Sequence, residues 1–364
     1  MQVGLVTTGF PRFEGDCSGS FLLTLARGLV EQGHSVRVLA PEPRRAMPMP
    51  SWPGIDLRWL PYARPRRLQR TFYGSGVPDN LSMHPARILG AASFSAVLAG
   101  ASKRDLDDCD ALLSSWCLPS GWAASRAARG RPHLCICHAT DVRWLSRLPR
   151  GRSAARTIHS GATSMWFLSP VLRDRFFQVA GLAPSRTTTH IGSMPIAPPI
   201  EPGASRTLLR QKLGMERFTL LFLGRLVPIK GTAELFHSVA KLPEQPSVRI
   251  AGNGPERAAL QDLAQRLGID AEFEGWVSGE RKEALLKACD AVVVPSRPDD
   301  GLPTVLFEAK ARGLPIIATD LSAIPAELRN REGVELVPPN DRQAFRDAII
   351  RAQTRDALGS ALRV

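Results

Sequence analysis

Residues 295–318 read PSRPDDGLPTVLFEAKARGLPIIA and predict the fold of the region around them. Pro303 suits the first position of a helix, because its missing N–H group is one of the donors that stay unpaired there. The apolar run LPIIAT that follows predicts a buried strand. A loop, a helix and a buried strand in this order are typical of an α/β protein, and an ordinary structural segment of such a protein is one interpretation.

The same segment carries polar groups that suit a ligand. Asp300 stands eight positions before Glu308, and Gly301, Leu302 and Pro303 follow it directly. Free amides at the start of a helix attract anionic phosphate. Glu308, over a turn further on, can present a carboxylate to a ligand that carries hydroxyl groups. The segment therefore also predicts a site for a phosphate and a hydroxyl-bearing group.

Strands and helices alternate in both halves of the chain. Apolar residues at helical spacing follow the first predicted strand, and Gly33 marks the end of that helix. The second half repeats this order of strand and helix. The predicted strands are 1–10, 35–41, 218–226, 247–254 and 271–277, and the predicted helices are 21–34, 232–242 and 255–269. This alternation predicts an α/β fold with parallel sheets, helices on both faces and ligands beyond the carboxyl ends of the strands.

A proline-rich segment divides the chain. The 364 residues are enough for two α/β domains of ordinary size. The segment MPIAPPIEPGAS at 194–205 interrupts the alternation, so we predict one domain at 1–198, a second at 199–350 and a tail at 351–364.

Two cations follow a predicted strand of the second half. Arg225 comes directly after FTLLFLG, which ends in Gly224, and Lys230 lies five residues further on. A planar guanidinium and a compact ammonium at a strand end can meet a diphosphate, although cations of an ordinary surface loop are the alternative. Gly252 and Gly254 follow another strand of the same predicted sheet. The strand ends are therefore expected to converge on one ligand.

Positive charge is concentrated in the first half. Residues 1–198 hold 24 Arg and Lys against 12 Asp and Glu, whereas residues 199–364 hold 23 against 22. The densest cluster is RWLPYARPRRLQR at 58–70, where Trp59 and Tyr62 lie among the arginines. Such a patch can face anionic lipid, an acidic acceptor or nucleic acid, or it can be a solvated surface of an Arg-rich protein.

The remaining composition points to the cytoplasm. Met1 leads straight into a predicted strand, which leaves no room for a signal peptide, and the weakly polar stretch at 88–102 is too short to span a bilayer. Cys135, Cys137 and His138 could suggest a metal site, but alternate residues on one buried strand face are the favoured interpretation. We therefore predict no metal site and a reducing compartment.

Several motifs together resemble the retaining glycosyltransferases of family 4, which have the GT-B fold. The motifs are FPRFEGDCSGSF at 10–21, LARGLVEQGHSVRVLAP at 25–41, HATD at 138–141, FLGRLVPIKG at 222–231, RIAGNGPE at 249–256, EFEGWV at 272–277, ACDAVVVPS at 288–296 and DGLPTVLFEAKARGLPIIAT at 300–319. The resemblance implies two Rossmann-like parallel-sheet lobes facing a central cleft, with the acceptor on the first lobe and a nucleotide sugar on the second.

The resemblance also implies roles for single residues. Glu308 would hold the nucleotide ribose, Asp300 and the amides after it the donor sugar and diphosphate, and His138 the transferred sugar. The expected catalytic residues are His138, Arg225, Lys230 and Asp300; the expected donor-binding residues are Gly224, Gly252, Gly254, Gly301, Leu302, Pro303, Thr304, Val305 and Glu308; and the expected acceptor-side residues are Gly19 and Asp141. Gly15 and Gly19 do not have GxGxxG spacing, so they are no dinucleotide fingerprint.

Two features depart from the family pattern. Asp300 stands where the family usually has Glu, which bears on the preferred donor sugar. The helix-like run DRQAFRDAIIRAQ at 341–353 is followed by only a short tail, so the family's crossing helix is expected to be abbreviated, or the chain truncated.

The expected activity is transfer of a sugar from a nucleotide-diphosphate sugar to a carbohydrate, lipid-linked or small-molecule acceptor. No metal or other cofactor is expected, because two cations can take the metal's part. The alternatives are a nucleotide-sugar epimerase of the same fold and a basic protein that binds nucleic acid or anionic lipid without catalysis. For the transferase we expect a cytoplasmic location, with peripheral contact to an anionic membrane left open, and no nucleic-acid partner.

Overall fold

A computed structural model describes residues 1–16, 18–45, 47–74, 76–184, 189–192, 202–298, 300–322 and 324–361. The chain forms two compact units, Met1–Ala197 and Pro198–Val364. Most of the predicted linker at 194–205, the predicted boundary between 198 and 199, and residues 362–364 of the predicted tail lie outside the described residues.

The first unit contains a parallel sheet of seven strands among its described residues. The strands are β1 (Gln2–Val6), β2 (Ser35–Pro41), β3 (Ile55–Leu60), β4 (Ala111–Ser115), β5 (His133–Cys137), β6 (Ser164–Phe167) and β7 (Thr189–Ile191). Their spatial order is β3-β2-β1-β4-β5-β6-β7, and every pairing is parallel. The inner strands are mostly apolar because helices cover both faces of such a sheet.

Seven helices accompany this sheet in the part of the unit that the structure describes. They are α1 (Ser20–Glu31), α2 (Val77–Met83), α3 (Ile88–Asp105), α4 (Trp122–Ala128), α5 (Ala139–Leu145), α6 (Gly151–Gly161) and α7 (Pro170–Ala180). Helix α1 lies where the stripe of apolar residues predicted it and buries Leu22, Leu23 and Ala26. Cys135 and Cys137 share one buried face of β5, with their sulfurs 4.0 Å apart, as predicted.

The second unit repeats the architecture with six parallel strands and seven helices in its described part. The strands are β8 (Thr219–Leu223), β9 (Ser247–Ala251), β10 (Ala271–Gly275), β11 (Ala291–Val294), β12 (Ile316–Thr319) and β13 (Val334–Val337). The helices are α8 (Arg206–Lys212), α9 (Thr232–Val239), α10 (Arg257–Arg266), α11 (Gly279–Ala288), α12 (Val305–Ala311), α13 (Ala326–Arg329) and α14 (Arg342–Ala361). Helix α14 runs unbroken into the segment predicted as a separate tail.

Both sheets reverse their strand order at one point. The second sheet has the order β10-β9-β8-β11-β12-β13, so its order reverses between β8 and β11, as the first reverses between β1 and β4. Ligands of open parallel sheets bind beyond the carboxyl ends of the strands at such a reversal. In the second unit this position lies between the loop that follows β8 and the loop that follows β11.

One expectation about local structure is wrong, and one aromatic residue of the basic segment is buried. Helix α12 begins at Val305 with Thr304 as its N-cap, so Pro303 lies two residues before the helix rather than at its first position. The carbonyl of Pro303 instead accepts a turn-like hydrogen bond from the amide of Leu306 (3.2 Å). Tyr62 is buried, with its ring against Phe72, so it is not an exposed aromatic among the arginines.

No helix among the described residues is long and apolar enough to cross a membrane.

Candidate active site at the strand ends

Glycines allow the loops that follow β8 and β9 to pack closely against each other. The amide of Gly224 donates to the carbonyl of Ala251 (3.0 Å), and a Cβ atom on Gly252 would lie 1.8 Å from the carbonyl oxygen of Gly224. A Cβ on Gly254 would lie 2.2 Å from the carbonyl oxygen of Leu226. Any larger residue at 252 or 254 would therefore separate the two loops. Their contact with a donor stays a prediction, since loop packing alone already requires glycine.

The loops that follow β8 and β11 also hold each other in place. The amide of Arg297 donates to the carbonyl of Ile229 (2.8 Å). Gly231 has a φ of +68°, and a Cβ there would lie 1.9 Å from the carbonyl oxygen of Pro295. This close approach brings the end of the first loop beside the start of the segment that contains Asp300.

Lys230 and Asp300 form an ion pair across these loops. Lys230 Nζ lies 2.8 Å from Asp300 Oδ2, and both side chains are largely but not fully buried. Asp300 Oδ1 accepts a hydrogen bond from the amide of Gly301 (3.1 Å). The sequence placed both residues at strand ends but did not predict that they pair. The lysine is thus held at the point where the strand order reverses.

Backbone donors surround the start of α12. Among the described residues, no acceptor contacts the amides of Leu302, Thr304 and Val305. Gly301 donates to Asp300 instead. These N–H groups, unpaired within the described residues, favour negative charge near the start of the helix, whereas the ammonium of Lys230 is already paired with the Asp300 carboxylate.

Glu308 lies in the first turn of α12 and pairs with a residue that the sequence did not indicate. Lys282 Nζ of α11 lies 3.2 Å from Glu308 Oε2, and about a fifth of each side chain is exposed. Arg225 is half-buried in the loop after β8. The structure thus brings Lys230 to Asp300 and Lys282 to Glu308.

In the first unit, His138 follows β5 and precedes α5. Its Nε2 lies 3.0 Å from Ser115 Oγ, at the end of β4. Its ring stacks on Trp116, with centroids 4.8 Å apart and an interplanar angle of 28°, and the Phe21 ring lies 5.6 Å away. Burial lowers the pKa of His138 to about 4, so the imidazole is neutral at physiological pH.

Asp141 supports the turn that carries Trp116. Trp116 has a φ of +69°, a conformation that costs a bulky residue roughly 1–3 kcal/mol. The buried Asp141 carboxylate accepts a hydrogen bond from the amide of Cys117, the residue after Trp116. It accepts a second one from the amide of Val142 (2.8 Å). Burial raises the pKa of Asp141 to about 6, although the hydrogen bonds from Cys117 oppose this shift. Its expected place on the acceptor side stays a prediction; its contacts position the tryptophan.

Gly19 precedes α1 with a φ of +72°, and a Cβ there would lie 2.4 Å from the carbonyl oxygen of Gly9. The chain's own backbone therefore occupies the space that a side chain at this position would need. Contact with an acceptor at Gly19 stays a prediction.

Two family models match the chain. The model described as glycosyl transferases group 1 matches residues 217–355, and a glycosyl transferase 4-like domain matches residues 18–190. The chain belongs to the group 1 glycosyltransferases. Each model covers one of the two parallel-sheet units, so the predicted family is confirmed for both.

This glycosyltransferase is similar to several bacterial proteins with glycosyltransferase names. TuaC of Bacillus subtilis (strain 168), named for teichuronic acid biosynthesis, is 26% identical over 96% of this chain and 89% of TuaC. A GDP-mannose-dependent alpha-(1-6)-phosphatidylinositol monomannoside mannosyltransferase of Mycolicibacterium smegmatis is 29% identical. That match spans 62% of each chain, which is less than two thirds of the relative.

Solved structures show the same fold. Sucrose-phosphate synthase from Thermosynechococcus elongatus has a TM-score of 0.72 at 18% identity, over 98% of this chain and 90% of that chain. HepE of Anabaena in complex with UDP-glucose has a TM-score of 0.66 at 17% identity, over 98% of this chain and 91% of that chain. The glycosyltransferase thus has the predicted GT-B fold, with two units of parallel strands and helices.

The basic segment 58–70 of the glycosyltransferase is only partly engaged in ion pairs. Arg58 pairs with Asp56 (3.1 Å) and Arg66 with Glu42 (3.1 Å). The arginines at 64, 67 and 70 are exposed, and so is more than half of the Leu68 side chain. Because Tyr62 is buried, the segment lacks one of the two aromatic rings that could have stacked on nucleobases.

Proposed function

We propose that this glycosyltransferase moves a sugar from a nucleotide-diphosphate sugar to an acceptor with retention of configuration at the anomeric carbon. The observation that carries the donor assignment is the Lys230–Asp300 pair close in sequence to the amides of Leu302, Thr304 and Val305, which have no acceptor among the residues that the structure describes. Lysine and backbone N–H groups at a strand-order reversal suit a diphosphate.

The donor residues would act on the leaving group. When the bond from the sugar's anomeric carbon to the diphosphate breaks, negative charge grows on the phosphate oxygens. Arg225, Lys230 and the amides before α12 would stabilise this charge, and donors fixed in advance need no reorganisation during the reaction. Because these cations can perform the role of a divalent ion, we propose a metal-independent reaction.

Retention requires that the acceptor hydroxyl attacks from the face that the diphosphate leaves. In the proposed step, the acceptor oxygen bonds to the anomeric carbon as the sugar–phosphate bond breaks, and the acceptor proton passes to the leaving phosphate oxygen. This balance needs no protein nucleophile. Neutral His138, whose ring position is set by Ser115 and Trp116, would hold a hydroxyl of the transferred sugar.

The relatives narrow the substrate classes. HepE was solved with UDP-glucose, and the mycolicibacterial relative is named for a GDP-mannose donor and a phosphatidylinositol mannoside acceptor. TuaC is named for teichuronic acid biosynthesis. We therefore propose a glycan or lipid-linked acceptor and a UDP- or GDP-sugar as the first donors to examine. An epimerase of the same fold is the second candidate, and it would release a changed sugar nucleotide without any acceptor.

A thermal-shift screen with UDP-, GDP- and ADP-sugars tests the donor assignment. A ligand that binds only the folded state raises the melting temperature by mass action, so one nucleotide class is expected to do so. Glu308→Gln should weaken binding of that nucleotide by about tenfold, because an amide accepts ribose hydroxyls less strongly than a carboxylate.

The matched control is Glu335→Gln, since Glu335 is a carboxylate of the same unit that pairs with Arg351 and Arg355 on α14. Equal nucleotide affinity for the parent and Glu308→Gln would contradict the ribose role. No stabilisation by any sugar nucleotide would contradict the proposed donor class altogether.

We further propose that segment 58–70 contacts an anionic membrane that carries the acceptor. The exposed arginines at 64, 67 and 70 flank exposed Leu68, and each basic side chain near an anionic bilayer contributes about 1 kcal/mol. Changing these three arginines to serine should reduce co-sedimentation with phosphatidylglycerol vesicles at least tenfold at low salt.

Serine at three other surface arginines of the first unit, Arg104, Arg129 and Arg147, removes the same charge elsewhere and is the control. If both triple variants lose vesicle binding equally, only net charge matters and the assigned surface is wrong. Arg66 stays unchanged because it pairs with Glu42.

A further inference from the structure

Two ion pairs of opposite polarity connect α11 to α12. Lys282 of α11 contacts the Glu308 carboxylate of α12, and the adjacent Glu283 accepts two hydrogen bonds from Arg312 (2.7 and 2.6 Å). Arg312 also donates to the backbone carbonyl of Glu308 (2.7 Å). The Glu283–Arg312 pair is almost fully buried, whereas the Lys282–Glu308 pair keeps about a fifth of each side chain exposed.

The two pairs fix Glu308 from two sides. Arg312 holds its backbone, and Lys282 holds one carboxylate oxygen, Oε2. Within the described chain no donor contacts the other oxygen, Oε1. A glutamate held in this way presents a free acceptor in a defined direction, so a ligand would not have to order a mobile side chain on binding.

We propose that Lys282 is a positioning residue for the donor nucleotide: it fixes the Glu308 carboxylate for the ribose hydroxyls. The inference rests on the proposed donor site, in which Glu308 binds ribose.

Helix α11 provides a matched control. Arg281, directly before Lys282, pairs with Glu274 (2.5 Å), a carboxylate at the end of β10 that is not part of the proposed site. Lys282→Met and Arg281→Met each remove one cation and one ion pair from the same helix. Both variants keep an aliphatic side chain of comparable length, so their melting temperatures and nucleotide affinities can be compared directly.

Affinity for the stabilising nucleoside diphosphate and for the corresponding monophosphate would be measured by calorimetry. Lys282→Met should weaken both ligands by the same factor, roughly fivefold to twentyfold, because the effect passes through the shared ribose. Lys282→Arg should restore most of the affinity, Arg281→Met should leave it unchanged, and Lys282→Met combined with Glu308→Gln should bind no more weakly than Glu308→Gln alone.

Other results would distinguish a failure of the Lys282 positioning role from a failure of the proposed ribose site. Unchanged or tighter binding by a folded Lys282→Met variant overturns the positioning role, since Lys282 would then be neutral or would compete with the ribose for Glu308. A loss that is larger for the diphosphate than for the monophosphate also overturns it, because Lys282 would then contact phosphate directly. If Glu308→Gln itself binds as tightly as the parent, the proposed ribose site fails instead.

Discussion

Arg225→Ala and Lys230→Ala are each expected to reduce turnover by roughly 10²–10³-fold, the scale of losing one electrostatic donor to a transition state. Both cations lie in the loop after β8, where the diphosphate is proposed to leave. Turnover would be measured at saturating donor with and without EDTA, because metal independence belongs to the same proposal. Lys241→Ala, at an exposed cation of the same unit, is the control and should keep parental turnover.

Lys230→Ala should have the larger effect of the two. Lys230 forms an ion pair with Asp300, so its removal leaves a mostly buried carboxylate beside the site where phosphate charge develops. The double variant Lys230→Ala with Asp300→Asn removes this repulsion and should recover part of the lost turnover. A less than threefold loss in both single variants would contradict the leaving-group assignment, as would a rate that falls when EDTA is added.

The sequence predicted several strands of both units because they are rich in buried apolar residues. Mostly apolar segments such as 35–41 and 218–223 leave few alternative assignments when glycines and prolines mark their ends. The start of α12 was predicted at the wrong residue. Pro303 is compatible with a first helical position, but the chain makes a turn there first, so the prediction was two residues early.

The ion pairs of the candidate site could not be predicted, because they join residues far apart in sequence. Lys230 and Asp300 are 70 positions apart, and Lys282 and Glu308 are 26 apart. Strand order placed the first two at neighbouring strand ends, yet contact between them depends on loop geometry at Gly231 and Pro295. The sequence around Lys282 does not indicate a binding role, because charged residues are common on the exposed face of a helix such as α11.

The reason for a glycine at a strand end is also hard to predict from the sequence. A glycine at a strand end can allow a ligand or another loop to approach the backbone, and the sequence does not distinguish these causes. At Gly252 and Gly254 the neighbouring loop occupies the space that a side chain would need. Loop packing therefore explains these residues without a ligand, although it also gives the donor site its fixed shape.

The surroundings of His138 were equally hidden from sequence reasoning. Ser115 ends β4 and Trp116 follows it, Phe21 belongs to α1, and His138 follows β5, so residues from three parts of the chain surround one imidazole. Trp116 has a positive φ, and the buried Asp141 carboxylate accepts a hydrogen bond from the amide of Cys117. Both features give this cluster a fixed geometry. Such strain tends to persist where it serves a function, which supports a role for His138 in transfer.

His138→Ala is accordingly expected to reduce turnover by about 10²-fold while leaving donor affinity nearly unchanged, because the imidazole would act on the transferred sugar rather than on the nucleotide. Donor affinity would be measured by calorimetry and turnover at saturating donor. Trp122→Phe, which alters another half-buried tryptophan of the first unit, is the control and should keep most of the parental turnover. A collapse of donor affinity with unchanged turnover at saturation would contradict the assigned role.

The pKa of His138 gives the same prediction a second readout. Since burial lowers it to about 4, the folded protein keeps a neutral imidazole from about pH 8 to about pH 5, and the ratio of parental to His138→Ala turnover should stay constant over that range. Between about pH 6.5 and about pH 4 the unfolded chain binds a proton at this histidine that the folded chain does not. Folding stability should therefore fall as the pH drops through this window, and His138→Ala should show a weaker fall in its denaturation midpoint. A turnover ratio that changes with an apparent pKa near 6.5 would mean that a charged imidazolium takes part in transfer, and the neutral role proposed for His138 would be wrong.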